Sequence, residues 1–210
     1  MASLDRHLAR LRAALAEPRP GPSRRWKLED RIDAGVAVPL QATERGVAVW
    51  LTKRPDGMTH HAREISFPGG KREAGDRSLL ATALRELTEE VGVPASDVVV
   101  LGSLPPVPTA TSRFALHPFV VAVARSAQPL PSPAEVQELL RVDLEDMLDG
   151  RVSFRAVAVG GHASPIFDIA GSGSVYGATA YVLEEVLERY AATQGRVMPQ
   201  PVFTEEIPWA

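Results

Sequence analysis

Pro68-Gly69-Gly70-Lys71-Arg72-Glu73-Ala74-Gly75-Asp76-Arg77-Ser78-Leu79-Leu80-Ala81-Thr82-Ala83-Leu84-Arg85-Glu86-Leu87-Thr88-Glu89-Glu90-Val91-Gly92-Val93-Pro94 is the stretch on which the reading of this chain turns. Its first half is a polar loop punctuated by glycine. In its second half Leu80, Leu84, Leu87 and Val91 recur at helical spacing, which predicts a helix starting near Ser78 that Gly92 and Pro94 stop. Glu86, Glu89 and Glu90 fall three, four and one residues apart, so they share one face of that helix while the leucines point to the core.

Like charges at helical spacing repel by a few tenths of a kcal/mol per pair. A bound Mg²⁺ or Mn²⁺ would remove that cost, because these hard cations take oxygen ligands, bridge diphosphate oxygens and activate water. Gly69-Gly70 permits a close backbone approach beside the same face. A bare Glu-x-x-Glu-Glu is nonetheless most often a solvated surface, so the spacing alone does not decide for an enzyme.

Working outward, Ala34 to Leu40 and Gly46 to Thr52 are β-branched runs joined by a polar turn, the pattern of a hairpin. Further strands are expected at Asp97 to Leu101, Phe114 to Val123, Ser153 to Val159 and Pro165 to Ile169, with a short helix between Pro133 and Leu148 and a longer one over Ala178 to Ala191. A first helix covers roughly residues 3–17 and ends in the Pro/Gly/Arg-rich connector to Arg25. The tail from Thr193 carries Pro199, Pro201 and Pro208 beside Val202, Phe203, Ile207 and Trp209, so it is expected to be extended, with aromatics suited to docking against another subunit. Three parts follow: residues 1–25, 26–192 and 193–210. Strands mixed with a few helices imply an α/β or α+β layered fold.

The 210 residues suit one domain, and 45% hydrophobic with 23% charged residues is ordinary globular composition. A net charge of −3 gives no footprint for a nucleic-acid polymer. The absence of cysteine excludes disulfides, thiolate nucleophiles and Cys-ligated zinc, leaving oxygen or imidazole for any metal. Neither a signal peptide nor a membrane-spanning stretch is apparent, which makes a cytoplasmic protein the expectation.

Gly70, Glu73, Asp76 and the run from Arg85 to Val93 closely resemble the signature box of the Nudix hydrolases. Asp76 stands where the box has its first Glu, and eight residues rather than seven precede Arg85. The resemblance implies an α/β/α sandwich with a mixed central sheet, residues 26–192 as the hydrolase domain, and metal-dependent cleavage of a diphosphate linkage in a small nucleotide-like substrate. It implies Glu86, Glu89 and Glu90 as metal ligands with Gly70 beside them, Arg85 as the residue that orients them, and Glu89 or Glu135 as base.

Flanking segments resemble the coenzyme A pyrophosphatase branch: Leu51 to Arg54, His61 to Gly70, Leu104 to Thr109, Phe114 to Pro118, and Tyr176 to Ala180. Arg54, Arg63, Phe67, Gly69 and Lys71 are therefore expected at the substrate. Pro55, Thr59 and Arg63 replace the Ser, Arg and Gly of that branch, and an Arg-to-Thr change removes a fork-shaped phosphate donor. Coenzyme A is the leading substrate. A non-catalytic nucleotide sensor and a hydrolase of oxidised nucleoside triphosphates or ADP-ribose stand as alternatives, and a homodimer stays open.

Overall fold

A computed structural model describes residues 5–17, 26–56 and 64–209 of the chain. In chain order the described elements are α1 (Arg6–Ala16), β1 (Ile32–Ala42), β2 (Val47–Lys53), β3 (Ile65–Ser66), β4 (Gly69–Lys71), α2 (Leu79–Val91), β5 (Val98–Ser103), β6 (Val107–Pro108) and β7 (Phe114–Val123). They continue with β8 (Glu138–Asp143), α3 (Leu144–Leu148), β9 (Ser153–Val159), β10 (His162–Ile169), β11 (Gly173–Val175), α4 (Gly177–Thr193) and β12 (Val202–Phe203).

β1 is the axis of a mixed sheet. It runs parallel to β7 from Ile32 opposite Phe114 to Gln41 opposite Val123, and antiparallel to β2 at one end and β4 at the other. β8 extends the sheet beyond β2, and β5 extends it beyond β7, both antiparallel. A strand covered on both faces needs apolar side chains on both, which is why β1 reads as a nearly continuous apolar run.

The two-residue period of the strands sorts these side chains into two layers. Val36, Val38 and Leu40 of β1, Val49 and Leu51 of β2 and Val120 of β7 face Leu8, Leu11 and Leu15 of α1 and Leu183, Val186 and Leu187 of α4. Ala37, Trp50, Val121 and Val123 point the other way, against Ala83, Leu87 and Val91 of α2. The result is the three-layer α/β/α arrangement with a mixed central sheet. Leu87 is fully buried as expected, but Leu80 and Leu84 are only half-buried, the inner stripe having shifted to Ala83, Leu87 and Val91.

Small residues set how closely α2 approaches. Gly35 of β1 pairs with Gly70 of β4, so both positions present the same face of the sheet. A Cβ on Gly35 would sit 2.2 Å from the Leu79 carbonyl oxygen, and one on Gly70 would sit 2.2 Å from Oε1 of Glu86. Helix α2 thus lies on bare backbone. Ser78 caps its start by accepting from the Ala81 N–H at 3.1 Å, and Gly92 ends it with φ 73°, a left-handed conformation favoured by glycine.

The fold sharpens two expectations. The segment from Pro133 to Leu148 is chiefly strand β8, held along β2 from Lys53 to Ala48, and only Leu144–Leu148 is helical. Pairing with β2 buries Leu140 and Val142 at every second position, which a helix would not do. The tail docks on its own chain: β12 pairs with Arg155 and Ala156 of β9, and the Trp209 ring lies 5.3 Å from that of Tyr176. β12 thereby joins the smaller sheet of β9, β10 and β11. No helix among the described residues is long and apolar enough to cross a membrane.

If Gly35 sets the seat of α2, Gly35→Ala should destabilise the protein by about 1–3 kcal/mol in urea unfolding, the usual cost of overpacking. Gly75→Ala, where an added Cβ meets nothing within 4 Å, should change stability by less than about 0.5 kcal/mol. Equal effects at the two positions would refute this role for Gly35.

Candidate metal and diphosphate site

Glu90 leaves α2 into the sheet and is only 6% exposed. Its Oε1 accepts from the Gly69 N–H at 3.2 Å, and its Oε2 lies 3.4 Å from the Thr52 hydroxyl, which also reaches the Ser66 carbonyl at 3.3 Å. Burial pushes this carboxyl up to about 7; the Gly69 N–H and the charge of Arg54 oppose the shift, while the charges of Glu86 and Glu135 add to it. Glu86, one turn earlier, lies against Gly70 and is also raised, first by burial and against the pull of Arg85.

Arg85 supplies the positive charge. Its Nη1 lies 2.9 Å from Oε1 of Glu86 and 2.7 Å from Oε2 of Glu89, while Nη2 donates to the Lys71 carbonyl at 3.2 Å. The other side of the guanidinium grips Asp76 through Nε at 3.2 Å and Nη2 at 3.2 Å. Asp76 is buried and also accepts from the Glu73 N–H at 3.0 Å and the Thr82 hydroxyl at 2.9 Å. These donors, Arg85 foremost, hold the Asp76 carboxyl down at about 2.

Glu135 reaches this site by a different route from the expected helix start. It lies in an exposed turn before β8. The chain leading to it is latched to the end of α2, with the Leu130 N–H on the Val91 carbonyl and the Ser132 N–H on the Glu90 carbonyl, both at 2.9 Å. Gln137 then bonds the Lys53 carbonyl at 2.8 Å. Glu135 therefore stands close enough for its charge to raise both Glu86 and Glu90.

The other expected site residues separate into groups. Gly69 and Gly70 line the glutamates with backbone, and the charge of Arg54 is felt at Glu90. Lys71 offers its carbonyl to Arg85 while its side chain is exposed. Phe67 is 5% exposed and belongs to the larger core cluster, so its ring is engaged in packing. Arg63 lies outside the described residues, as do Thr59, His60 and His61. Sequence reasoning missed Gly35, Thr52 and Thr82. A glycine inside an apolar strand was the available signal for Gly35; nothing local marks the two threonines, whose partners lie on other elements.

Among the described residues no three His, Asp or Glu side chains converge as a metal cage. Glu86 and Glu90 face the β4 backbone, whereas Glu89 is half exposed on the flank with Arg85. The donor set still fits a divalent cation by its chemistry: hard carboxylate oxygens, two of them partly desolvated and raised by neighbouring carboxylate charge, beside a glycine backbone that leaves room at Gly70.

A mixed-sheet sandwich that lays a carboxylate-bearing helix on a glycine strand is also the arrangement of a known family. The family model described as NUDIX domain matches residues 31–159, and the chain belongs to that family. It is 41% identical over 96 residues to a protein of Pectobacterium atrosepticum named Uncharacterized Nudix hydrolase NudL, covering 46% of this chain and 50% of that one. A protein of the same name from Yersinia pestis is 41% identical over 115 residues, covering 55% of this chain and 57% of the relative. The chain thus spans about half the length of the curated relatives it matches. Among solved structures, a MutT/nudix family protein from Enterococcus faecalis superposes with a TM-score of 0.49 at 13% identity, over 86% of this chain and 71% of that one.

Asp76→Asn keeps the shape of the anchor and removes its charge. Because the folded carboxyl sits at about 2, below the unfolded value of about 3.9, its contribution is present above that unfolded value and is lost as pH falls towards 2. The wild type should therefore melt above the variant at pH 7, and the gap should close on acidification through that window. A gap independent of pH would contradict the ionised Asp76–Arg85 anchor.

Proposed function

We propose that this chain is a metal-dependent pyrophosphohydrolase that cleaves the diphosphate linkage of a nucleoside diphosphate derivative, with coenzyme A or a related molecule as the leading substrate. The observation that carries the reading is the placement of Glu86 and Glu90, two partly desolvated carboxylates with raised pKa values, against the Gly69–Gly70 backbone, with Glu86 braced by the Arg85–Asp76 pair. Buried carboxylates of this kind are costly unless a cation or a proton balances them.

In this reading Glu86, Glu90 and the flanking Glu89 hold Mg²⁺ or Mn²⁺, with Gly70 beside them. When bound, the ion neutralises diphosphate oxygens and activates water for attack at phosphorus. Arg85 keeps Glu86 and Glu89 in place through contacts at 2.9 and 2.7 Å and is itself fixed by Asp76, so its role is positional. Gly69 orients Glu90 through its N–H and lets β4 lie close to the Gly35–Val36 backbone of β1.

Proton acceptance falls to Glu135 or Glu89. Glu89 is engaged by Arg85, whereas no arginine holds Glu135 among the described residues, which favours Glu135 as the base. Arg54 contributes positive charge beside Glu90, where the anionic substrate would lie, and Lys71 presents an exposed cation at the end of β4. The flanking likeness of Leu104 to Thr109 and Tyr176 to Ala180 to the coenzyme A branch supports the leading substrate.

A turnover screen with Mg²⁺ or Mn²⁺ across coenzyme A, ADP-ribose, dinucleoside polyphosphates and nucleoside triphosphates tests the proposal. Hydrolysis at the diphosphate is expected, fastest for coenzyme A or its derivatives. Glu86→Gln or Glu90→Gln should reduce kcat by at least about 100-fold, in line with the loss of a group that acts on developing charge. Glu135→Gln should lower kcat more than Glu89→Gln if Glu135 is the base. No turnover of any of these substrates by the folded wild type would refute the activity and leave a nucleotide-sensing module.

A further inference from the structure

Thr52 is a polar residue at a core position. The two-residue alternation of β2 puts it on the same side as Trp50, which packs with Ala83, Leu87 and Val91 of α2. Thr52 is 1% exposed. Valine has nearly the same shape and would serve this packing as well, whereas a buried hydroxyl is costly unless it is hydrogen-bonded. What distinguishes threonine here is the one proton its hydroxyl can donate.

Two acceptors lie within reach of that proton: the Ser66 carbonyl at 3.3 Å and Oε2 of Glu90 at 3.4 Å. Ser66 stands opposite Thr52 in the β2–β3 pair, so the register of the sheet sets the first contact. An ionised carboxylate is the stronger acceptor and draws the proton. The other oxygen, Oε1, accepts from the Gly69 N–H at 3.2 Å, and the Ala37 N–H pins the neighbouring Pro68 carbonyl at 2.9 Å. Among the described residues these two donors, one for each oxygen, are the hydrogen-bond partners of the Glu90 carboxylate.

Two fixed donors matter because the last torsion of a glutamate is soft, with broad wells in place of sharp rotamers. Held at one oxygen, the carboxylate can swing; held at both, from β2 and from β4, it is set in one plane. We propose that Thr52 is a positioning residue of the metal site, its hydroxyl fixing the plane of the Glu90 carboxylate and so presetting that ligand for a divalent cation. This rests on the reading of Glu90 as a metal ligand. Each carboxylate oxygen keeps a further lone pair beyond its bond to the protein, so the two donors leave Glu90 able to take a cation. Thr52 acts through Glu90 and has no need to touch the ion.

Titration of Mn²⁺ into the full chain, followed by electron paramagnetic resonance of the free ion, reads the effect without any substrate. Thr52→Val should bind Mn²⁺ about tenfold more weakly than the wild type, the usual scale for losing a partner that orients a metal ligand. Thr52→Ser should recover most of that affinity. Packing alone would give the reverse order, since valine matches threonine in bulk and serine does not. In a Glu90→Gln background the Thr52→Val change should add less than about twofold, because the group it acts through is gone. Should Thr52→Val not fold, the contrast between Thr52→Ser and Thr52→Ala carries the same reading.

Equal Mn²⁺ affinity in Thr52→Val and the wild type would overturn the proposal. So would a full tenfold loss in the Glu90→Gln background, or weaker binding by Thr52→Ser than by Thr52→Val. Absence of Mn²⁺ binding by the folded wild type would overturn it together with the metal reading. Hydroxyl-dependent Mn²⁺ binding by a chain that hydrolyses no nucleoside diphosphate would uphold the positioning role and defeat the proposed activity. Hydrolysis with an Mn²⁺ affinity indifferent to Thr52 would do the opposite.

Discussion

The arrangement depends on one close approach: helix α2 lying on the Gly35–Gly70 pair of β1 and β4. A side chain at either position would need the space held by the Leu79 carbonyl or the Glu86 carboxylate. With both absent, Glu86 comes down onto the β4 backbone and Glu90, one turn on, reaches the Gly69 N–H and the Thr52 hydroxyl. Packing on the helix's other positions, Ala83, Leu87 and Val91, holds it there. The close seat of the helix and the candidate site are the same place.

That placement creates an electrostatic problem with a built-in partial answer. Burial raises Glu86 and Glu90, and their neighbours' charges raise them further. Arg85 answers for Glu86 and Glu89 but is drawn back by Asp76, whose other acceptor bonds to Glu73 and Thr82 tie it to the loop and to α2. Among the described residues Glu90 receives an N–H, a hydroxyl and the charge of Arg54. The uncompensated negative charge is therefore concentrated where a cation and a diphosphate are proposed to meet.

Much of this was legible in the sequence because it is local. The helix period, its stop at Gly92 and the β1–β2 hairpin follow from spacing and turn residues close together in the chain. The segment around Glu135 was misread because Pro133 and the following acidic residues look like a helix start, while the partner that makes Glu138–Asp143 a strand is β2, some ninety residues earlier. The same holds for Thr52 and Thr82, ordinary residues until folding brings Glu90 and Asp76 to them. For the tail, the aromatics correctly signalled docking, but composition carries no information on whether the receiving surface belongs to the same chain. Phe67 lay beside the glycine turn in sequence, yet the alternation of β3 and the chain after it turned its ring into the core.

The central claim is that the glycine backbone of β4 and the two inward glutamates of α2 together make a divalent-metal site. Titration of Mn²⁺ into wild type and Gly70→Ala, followed by electron paramagnetic resonance of the free ion, tests it most directly. A Cβ at residue 70 displaces the Glu86 carboxylate, so the account predicts Mn²⁺ binding by the wild type and at least about tenfold weaker binding by a folded variant. Equal Mn²⁺ affinity in the two folded proteins would contradict it.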